Sequence, residues 1–150
     1  MDEASVTIAA PPDRVWELVT DVTNMGRWSP GNTGGKWVGG AKGPAEGARF
    51  IGFNKRGLMR WPTRCTIVEC VPTERFAFQV AENNMQWGWR LAPTSDGGTT
   101  LTQWRNRVSP PSAVVNAFAT ALFRGKVDEE MVDGMHRTLA KIKSQLESPA

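Results

Sequence analysis

The chain has 150 residues and a formal net charge of +3, a length that predicts one domain over residues 1–150 with a substantial core. Its Lys and Arg residues are scattered, which argues against nucleic acid as a partner. No segment approaches 18 consecutive apolar residues, so no membrane span is expected.

The first four residues, MDEA, are acidic and no apolar core follows them, unlike a secretion signal. Two cysteines without such a signal are typical of a reducing compartment, and we expect a cytoplasmic protein. Cys65 and Cys70 are five residues apart in one predicted strand. The odd spacing predicts that they lie on opposite faces and form no disulfide with each other.

The N-terminal third predicts a strand and two short helices. Residues 4–10 alternate as a strand does, and the Pro11-Pro12-Asp13 sequence opens a first helix. A second short helix is predicted over residues 21–27, with Asp21 as its N-cap. Residues 31–47 are rich in glycine with only a short strand around Trp37, and are either a flexible loop or a mobile flap over a cavity.

Five further strands are predicted from alternating segments separated by short turns, which favour antiparallel hairpins. Lys55 and Arg56 fall at a hairpin tip, where we expect them only to be solvated, and Trp104 and Cys70 do not fit the alternation. The five segments are residues 48–55, 61–71, 76–80, 85–92 and 99–108.

Residues 112–147 predict one long helix of about 50 Å, because apolar residues recur there at steps of three and four. Ser112 follows two prolines and is a suitable N-cap. The C-terminal half of the apolar stripe is bulky, but its N-terminal half is small and ends at Asp128. Small residues there either admit a close backbone or leave a space, and we interpret them as one wall of a cavity.

The order of elements is therefore a strand, two short helices, about six strands and a long helix, an α+β arrangement with the helix covering an antiparallel sheet. The sequence resembles the polyketide cyclase/dehydrase family of the START-like (SRPBCC) superfamily. The resemblance is carried by APPDRVWELVTDVTNMGRWSP at 10–30, GARFIGFN at 47–54, WPTRCTIVE at 61–69, FAFQV at 76–80, WGWRL at 87–91 and GGTTLTQW at 97–104.

The resemblance implies a helix-grip fold, in which about seven curved antiparallel strands wrap around a long C-terminal helix and enclose a hydrophobic cavity. Members of the superfamily bind lipids, sterols, polyketides or other apolar ligands, and a minority are cyclases or aromatases. It implies no shared catalytic motif and no cofactor.

Strand alternation predicts which side chains face the cavity, and that face is mostly aromatic with a few polar groups, the usual form of a small-molecule site. Trp28 is expected either to cap one end of the cavity or to pack in the core. The candidate lining residues are Trp28, Phe50, Asn54, Trp61, Cys65, Phe78, Trp87, Trp89, Gln103 and Arg105, with Phe118, Ala121, Leu122, Gly125 and Asp128 from the last helix.

Candidates for chemistry are few. Arg105 and Asp128 form either an ion pair between the last strand and the helix or a polar spot that orients a ligand, and Asn54 joins them as a catalytic candidate. Cys65 is expected to be a buried thiol with a raised pKa. His136 is the only histidine, and no Cys/His cluster, P-loop or nucleophile elbow is present in the sequence, so no metal or cofactor is expected.

Three functional hypotheses follow. The first is binding of an apolar or aromatic small molecule, such as a lipid or polyketide, by a monomer or homodimer. The second is a polyketide cyclase or aromatase acting on a bound poly-β-ketone. The third is an interaction module whose cavity is filled by its own side chains, since the chain contains seven tryptophans.

Overall fold

The structure, a computed structural model, describes residues 1–148. The strands are β1 (Asp2–Ile8), β2 (Asn32–Val38), β3 (Arg49–Arg56), β4 (Met59–Val71), β5 (Arg75–Val80), β6 (Met85–Pro93) and β7 (Thr99–Arg107). The helices are α1 (Pro12–Val19), a 3₁₀ helix (Val22–Arg27), α2 (Ala113–Phe123) and α3 (Val127–Glu147).

The seven strands form one antiparallel sheet in the order β1-β7-β6-β5-β4-β3-β2. Short turns connect β3 through β7, a ten-residue loop at 39–48 connects β2 to β3, and β1 pairs with β7 at the far edge. The helices cover the inner face of this sheet. This is the predicted α+β, helix-grip arrangement, and it is confirmed.

The two short helices after β1 form as predicted. Proline occupies the first turn of α1, where a missing N–H costs nothing, and Val15 and Val19 are its buried face. The Asp21 carboxylate accepts a hydrogen bond from the Thr23 backbone N–H at 3.2 Å and caps the 3₁₀ helix. The Trp16 ring meets Phe76 of β5 edge-on, with centroids 5.9 Å apart.

The long C-terminal helix is confirmed as α3, but the prediction that it runs unbroken from residue 112 is wrong, because the chain breaks between α2 and α3. Arg124 and Gly125 both adopt left-handed backbone conformations, and the Gly125 N–H donates to the Thr120 carbonyl at 3.0 Å. This is a common way to end a helix, and a glycine is its usual signal. The Ser112 cap is confirmed: its Oγ accepts from the Val115 N–H at 3.2 Å.

The two C-terminal helices differ in burial. α3 buries Met135, Leu139, Ile142 and Leu146, the bulky half of the predicted stripe. None of the eleven residues of α2 is buried. Within residues 1–148, no helix has the length and apolar content that crossing a bilayer would require.

The glycine-rich segment is more ordered than predicted, because β2 begins at Asn32 and pairs with β3 as an edge strand. A Cβ at Gly35 would lie 2.6 Å from the Val22 carbonyl oxygen of the 3₁₀ helix. Glycine therefore allows the close approach of these two backbones. The flap interpretation does not hold for this half of the segment.

A β-bulge in β4 changes the face of the sheet on which Cys70 lies. Cys65 lies opposite Val80 and Cys70 opposite Phe76, with a register shift between Ile67 and Glu69. Val80 and Phe76 share a face of β5, so both thiols face inward and the prediction of opposite faces is wrong. Both cysteines are free.

Trp104, which did not fit the alternation, lies on the outer face opposite Gly88 of β6. A Cβ at Gly88 would overlap the Trp104 indole ring, so the ring lies directly on the glycine backbone. Glycine in the middle of a strand costs stability, and here it makes room for a tryptophan.

We predict that Gly88→Ala lowers the free energy of unfolding by about 2 kcal/mol, because the added methyl group displaces the indole ring. Urea denaturation measures this loss. The matched control is Gly43→Ala, since no atom lies within 4 Å of a Cβ at Gly43. Equal stability of the two variants would contradict the packing described here.

Candidate functional site

The register arranges the inner face of the sheet in cross-strand rows. One row contains Phe78, Trp87, Arg105 and Asp2, from β5, β6, β7 and β1 in that order. The neighbouring row contains Phe76, Trp89, Gln103 and Ala4. Each row therefore begins with aromatic rings and reaches a polar side chain on β7.

Half of this face is filled by the protein's own side chains. Phe50 meets Phe78 edge-on at 5.2 Å between centroids, and both rings are buried. Cys65, Trp89 and Trp28 are buried in the same core, and Trp28 is only 1% exposed. Trp28 is thus placed as core packing.

Another part of this face lies beside α2. Trp61 and Trp87 are only partly buried, and the Trp61 ring meets Phe118 of α2 edge-on at 6.1 Å. At the start of α2, Asn84 Nδ2 donates to the Pro110 carbonyl oxygen at 3.1 Å. α2 therefore begins beside the β5–β6 turn and runs towards the β3–β4 hairpin, across the end of the inner face.

α2 is apolar except for Asn116 and Thr120. Leu122 is partly buried, whereas Phe118, Ala121 and Gly125 are exposed. The small-residue stripe that was predicted to form a cavity wall is therefore not enclosed by the rest of residues 1–148. Two surface depressions, of about 240 and 290 Å³, lie elsewhere, beside Arg90 on the outer face and between α1 and the end of α3.

Arg105 is the polar centre of the site. Its Nη1 donates to Asp2 at 2.8 Å and its Nη2 to Asp128 at 3.1 Å, and the guanidinium lies 5.4 Å from the centre of the Trp87 ring. The ion-pair interpretation of Arg105 and Asp128 is confirmed. Asp2 was missed, because its position opposite Arg105 depends on the long-range pairing of β1 with β7.

The three charged side chains of this cluster, Arg105, Asp2 and Asp128, differ in their exposure to water. The Arg105 side chain is 4% exposed, whereas those of Asp2 and Asp128 are 44% and 72% exposed. The cation is thus removed from water, while both carboxylates keep hydration. Asp128 also lies in the first turn of α3, where the helix dipole favours a negative charge.

Two polar atoms on β7 have no hydrogen-bond partner within residues 1–148. They are Arg105 Nε, a donor, and Gln103 Oε1, an acceptor, and both are buried on the inner face. An unpaired buried polar group costs about 1–3 kcal/mol, so each is a strong candidate for an external partner.

Asn54 and Arg56 have structural partners, although Arg56 Nε is, like the two atoms on β7, buried without a hydrogen-bond partner within residues 1–148. Asn54 Nδ2 donates to the Trp61 carbonyl at 3.1 Å, within the β3–β4 hairpin. Arg56 pairs with Glu130 of α3 at 2.9 Å and lies 4.9 Å from the centre of the Phe123 ring. The expectation that Arg56 is simply solvated is wrong.

The remaining reactive side chains lack an activating environment. Burial raises the pKa of the Cys65 thiol to about 12, so it stays protonated at neutral pH, as expected. His136 is exposed on α3. In the described part of the chain, no group of three His, Cys, Asp or Glu side chains is arranged to hold a metal ion.

Comparison with known proteins identifies a family and a fold. The family model described as "Polyketide cyclase / dehydrase and lipid transport" matches residues 3–147. The Polyketide_cyc-like protein Cgl2372 of Corynebacterium glutamicum is 29% identical, with a TM-score of 0.61 over 97% of this chain and 90% of that one. No curated protein matches the sequence.

More distant structures share the fold. The di-domain ARO/CYC protein StfQ of the steffimycin biosynthetic pathway is 15% identical, with a TM-score of 0.63 over 97% of this chain and 45% of that one. The Aha1 dimer of Colwellia psychrerythraea is 12% identical, with a TM-score of 0.65 over 97% and 94%.

Arg105 is buried, whereas the side chains of its partners Asp2 and Asp128 are accessible to water. Removing the two carboxylates should therefore cost more stability than removing the arginine. The Asp2→Asn/Asp128→Asn double variant leaves a buried cation unpaired and should lower the free energy of unfolding by about 3 kcal/mol. Arg105→Met leaves two hydrated carboxylates and should cost about 1 kcal/mol.

Chemical denaturation at neutral pH measures both variants. The control is Asp133→Asn, which breaks an exposed pair with Arg137 on α3 and should change stability by about 0.5 kcal/mol at most. A larger loss of unfolding free energy in Arg105→Met than in the double variant would contradict this prediction, because an unpaired buried arginine would then not be the main cost.

Proposed function

The chain belongs to the polyketide cyclase/dehydrase and lipid transport family, and from this premise we propose that it binds an apolar or aromatic small molecule. The ligand, a lipid or a polyketide, lies between the inner face of the sheet and α2. The function is sequestration or transport of that molecule.

The observation that carries this proposal is the exposure of α2. α2 is an eleven-residue helix with only two polar residues, and it contacts Trp61 through Phe118, yet none of its residues is buried. Trp87, on the same inner face of the sheet as Trp61, is only partly buried. Apolar surface that the chain leaves uncovered gains free energy when a ligand removes it from water, at roughly 25 cal/mol per Å² before the costs of binding. A ligand in this position would contact the helix and both indole rings.

The polar atoms on β7 support a ligand with a hydrogen-bonding group. Gln103 Oε1 can accept from a ligand hydroxyl, and Arg105 Nε can donate to a ligand oxygen, because neither atom has another partner within residues 1–148. Apolar pockets with a few such polar groups bind small molecules with a defined orientation. The ligand would therefore be amphipathic rather than a pure hydrocarbon.

We predict that Trp87→Ala weakens binding of the neutral apolar dye 1-N-phenylnaphthylamine by about tenfold or more, because the indole surface is lost from the site. Dye fluorescence under titration gives the Kd. The dye reports the apolar site without depending on the natural ligand.

The matched control is Trp104→Ala, which removes the same side chain from the outer face of the adjacent strand. Its Kd should equal that of the unaltered protein. Equal weakening in both variants would assign the effect to lost stability, and no weakening in Trp87→Ala would exclude this face of the sheet as the site.

A second candidate function is that of a polyketide cyclase or aromatase acting on a bound poly-β-ketone. The observation in its favour is the same donor on Arg105, since a buried cation can stabilise a developing enolate. Turnover of a poly-β-ketone analogue that is lost in Arg105→Met, while dye binding is retained, would support it. Absence of turnover in the unaltered protein would exclude that substrate class.

A further inference from the structure

The tip of the β3–β4 hairpin lies at one end of the sheet. On one side the Lys55 N–H donates to the Gly31 carbonyl at 2.7 Å, and on the other the Arg64 carbonyl accepts from the Ala81 N–H at 2.9 Å. Only residues 56–59 therefore extend past both neighbouring segments of the sheet.

The tip of this hairpin is apolar. Arg56 pairs with Met59, so Gly57 and Leu58 form a two-residue turn, and Gly57 has a positive φ of 60°. Leu58 is 100% exposed, and Met59 is also exposed. Turn residues are usually Gly, Asn, Asp, Ser or Pro, for reasons of backbone geometry and hydrogen bonding that leucine does not meet.

The apolar residues of α2 extend the same surface. Phe123 of α2 lies against Arg56, and Phe118 lies against Trp61, so contacts at both positions hold the helix beside the hairpin. Phe118 is 41% exposed. We call Leu58, Met59 and Phe118 the tip surface.

Cations surround the tip surface. Lys55 and Arg60 lie opposite each other on the hairpin, and both are exposed. Arg124 and Lys126, exposed between α2 and α3, add two more. Within residues 1–148, none of these four side chains forms an ion pair.

The acidic residues at the start of α3 offset this charge only in part. Glu130 is paired with Arg56 and Asp128 with Arg105. Glu129 is exposed and is the remaining carboxylate of that turn. The surroundings of the tip surface are therefore positive.

We propose that the tip surface docks the protein on an anionic phospholipid bilayer, with Leu58 inserted among the lipids and the four cations at the headgroups. The apolar residues match the hydrocarbon layer of such a bilayer, and the surrounding Lys and Arg match its anionic headgroups. A second copy of the chain fits less well, because an interface between identical surfaces would bring the two sets of cations together.

Docking in this way places α2 between the bilayer and the inner face of the sheet. An apolar ligand could then pass from the bilayer beneath α2 without crossing water. This consequence rests on the proposed ligand-binding function, whereas docking itself does not.

The test is co-sedimentation of the full chain, without added ligand, with vesicles of phosphatidylcholine and phosphatidylglycerol, and with vesicles of phosphatidylcholine alone. We expect binding to the mixed vesicles, loss of binding in high salt, and little binding to phosphatidylcholine alone. Leu58→Asn should lower the partition coefficient about tenfold. Leu58→Trp should raise it, because tryptophan favours the bilayer interface.

The Lys55→Gln/Arg60→Gln double variant should lower binding about twentyfold, at roughly fivefold per cation. The matched control is Arg14→Gln/Lys141→Gln, which removes two exposed cations from α1 and α3. Circular dichroism melting shows that each variant is folded.

Three results would overturn docking: no sedimentation with mixed vesicles, equal loss in the two double variants, or unchanged binding in Leu58→Asn. A dimer in light scattering that Leu58→Asn dissociates would assign the surface to a second copy instead. Vesicle binding with no dye binding would leave docking intact and refute the ligand site, so the two proposals fail separately.

Discussion

A sheet whose inner face is apolar must keep that face away from water, and in this protein α3 covers only part of it. The 21 residues of α3 span about 31 Å, and its buried side chains begin at Met135. Phe50, Phe78 and Trp89 of the inner face belong to the same core as Leu139, Ile142 and Leu146 of α3. Trp61 contacts α2 instead, through Phe118, and Trp87 is only partly buried.

Two arginines of the sheet anchor the first turn of α3, close to the break between α2 and α3. Arg105 of β7 holds Asp128, and Arg56 of β3 holds Glu130, so both sides of the sheet's open end are tied to the first turn of α3. The carboxylates lie where the helix dipole favours them. α3 is therefore anchored at its first turn, and the left-handed residues Arg124 and Gly125 end α2 just before it.

Patterns of local sequence predicted most of this fold. Strand alternation and turn residues were sufficient for seven strands and their order along the chain, and the caps at Asp21 and Ser112 were visible as residue types. The bulge after Ile67 and the break at Gly125 were missed, because apolar spacing averages over a single irregular residue. Gly125 itself was the available signal for the break, since glycine is the usual residue beyond a helix end.

The site was less predictable, because its polar contacts join distant parts of the chain. Alternation placed Gln103 and Arg105 inward, but Asp2 reaches Arg105 only through the pairing of β1 with β7. The roles of Arg56 and of Trp104 depend equally on neighbours from other elements. Exposure of α2 could not be inferred at all, since an apolar helix with this composition is normally buried.

We propose that an apolar ligand lies between α2 and the inner face of the sheet. Native mass spectrometry of the freshly purified protein, compared with its mass after denaturation, tests this claim directly. We predict an added mass that denaturation removes, and that mass would identify the chemical class of the ligand. A native mass equal to that of the bare chain, with no uptake of fatty acids, sterols or aromatic polyketides added during purification, would contradict it.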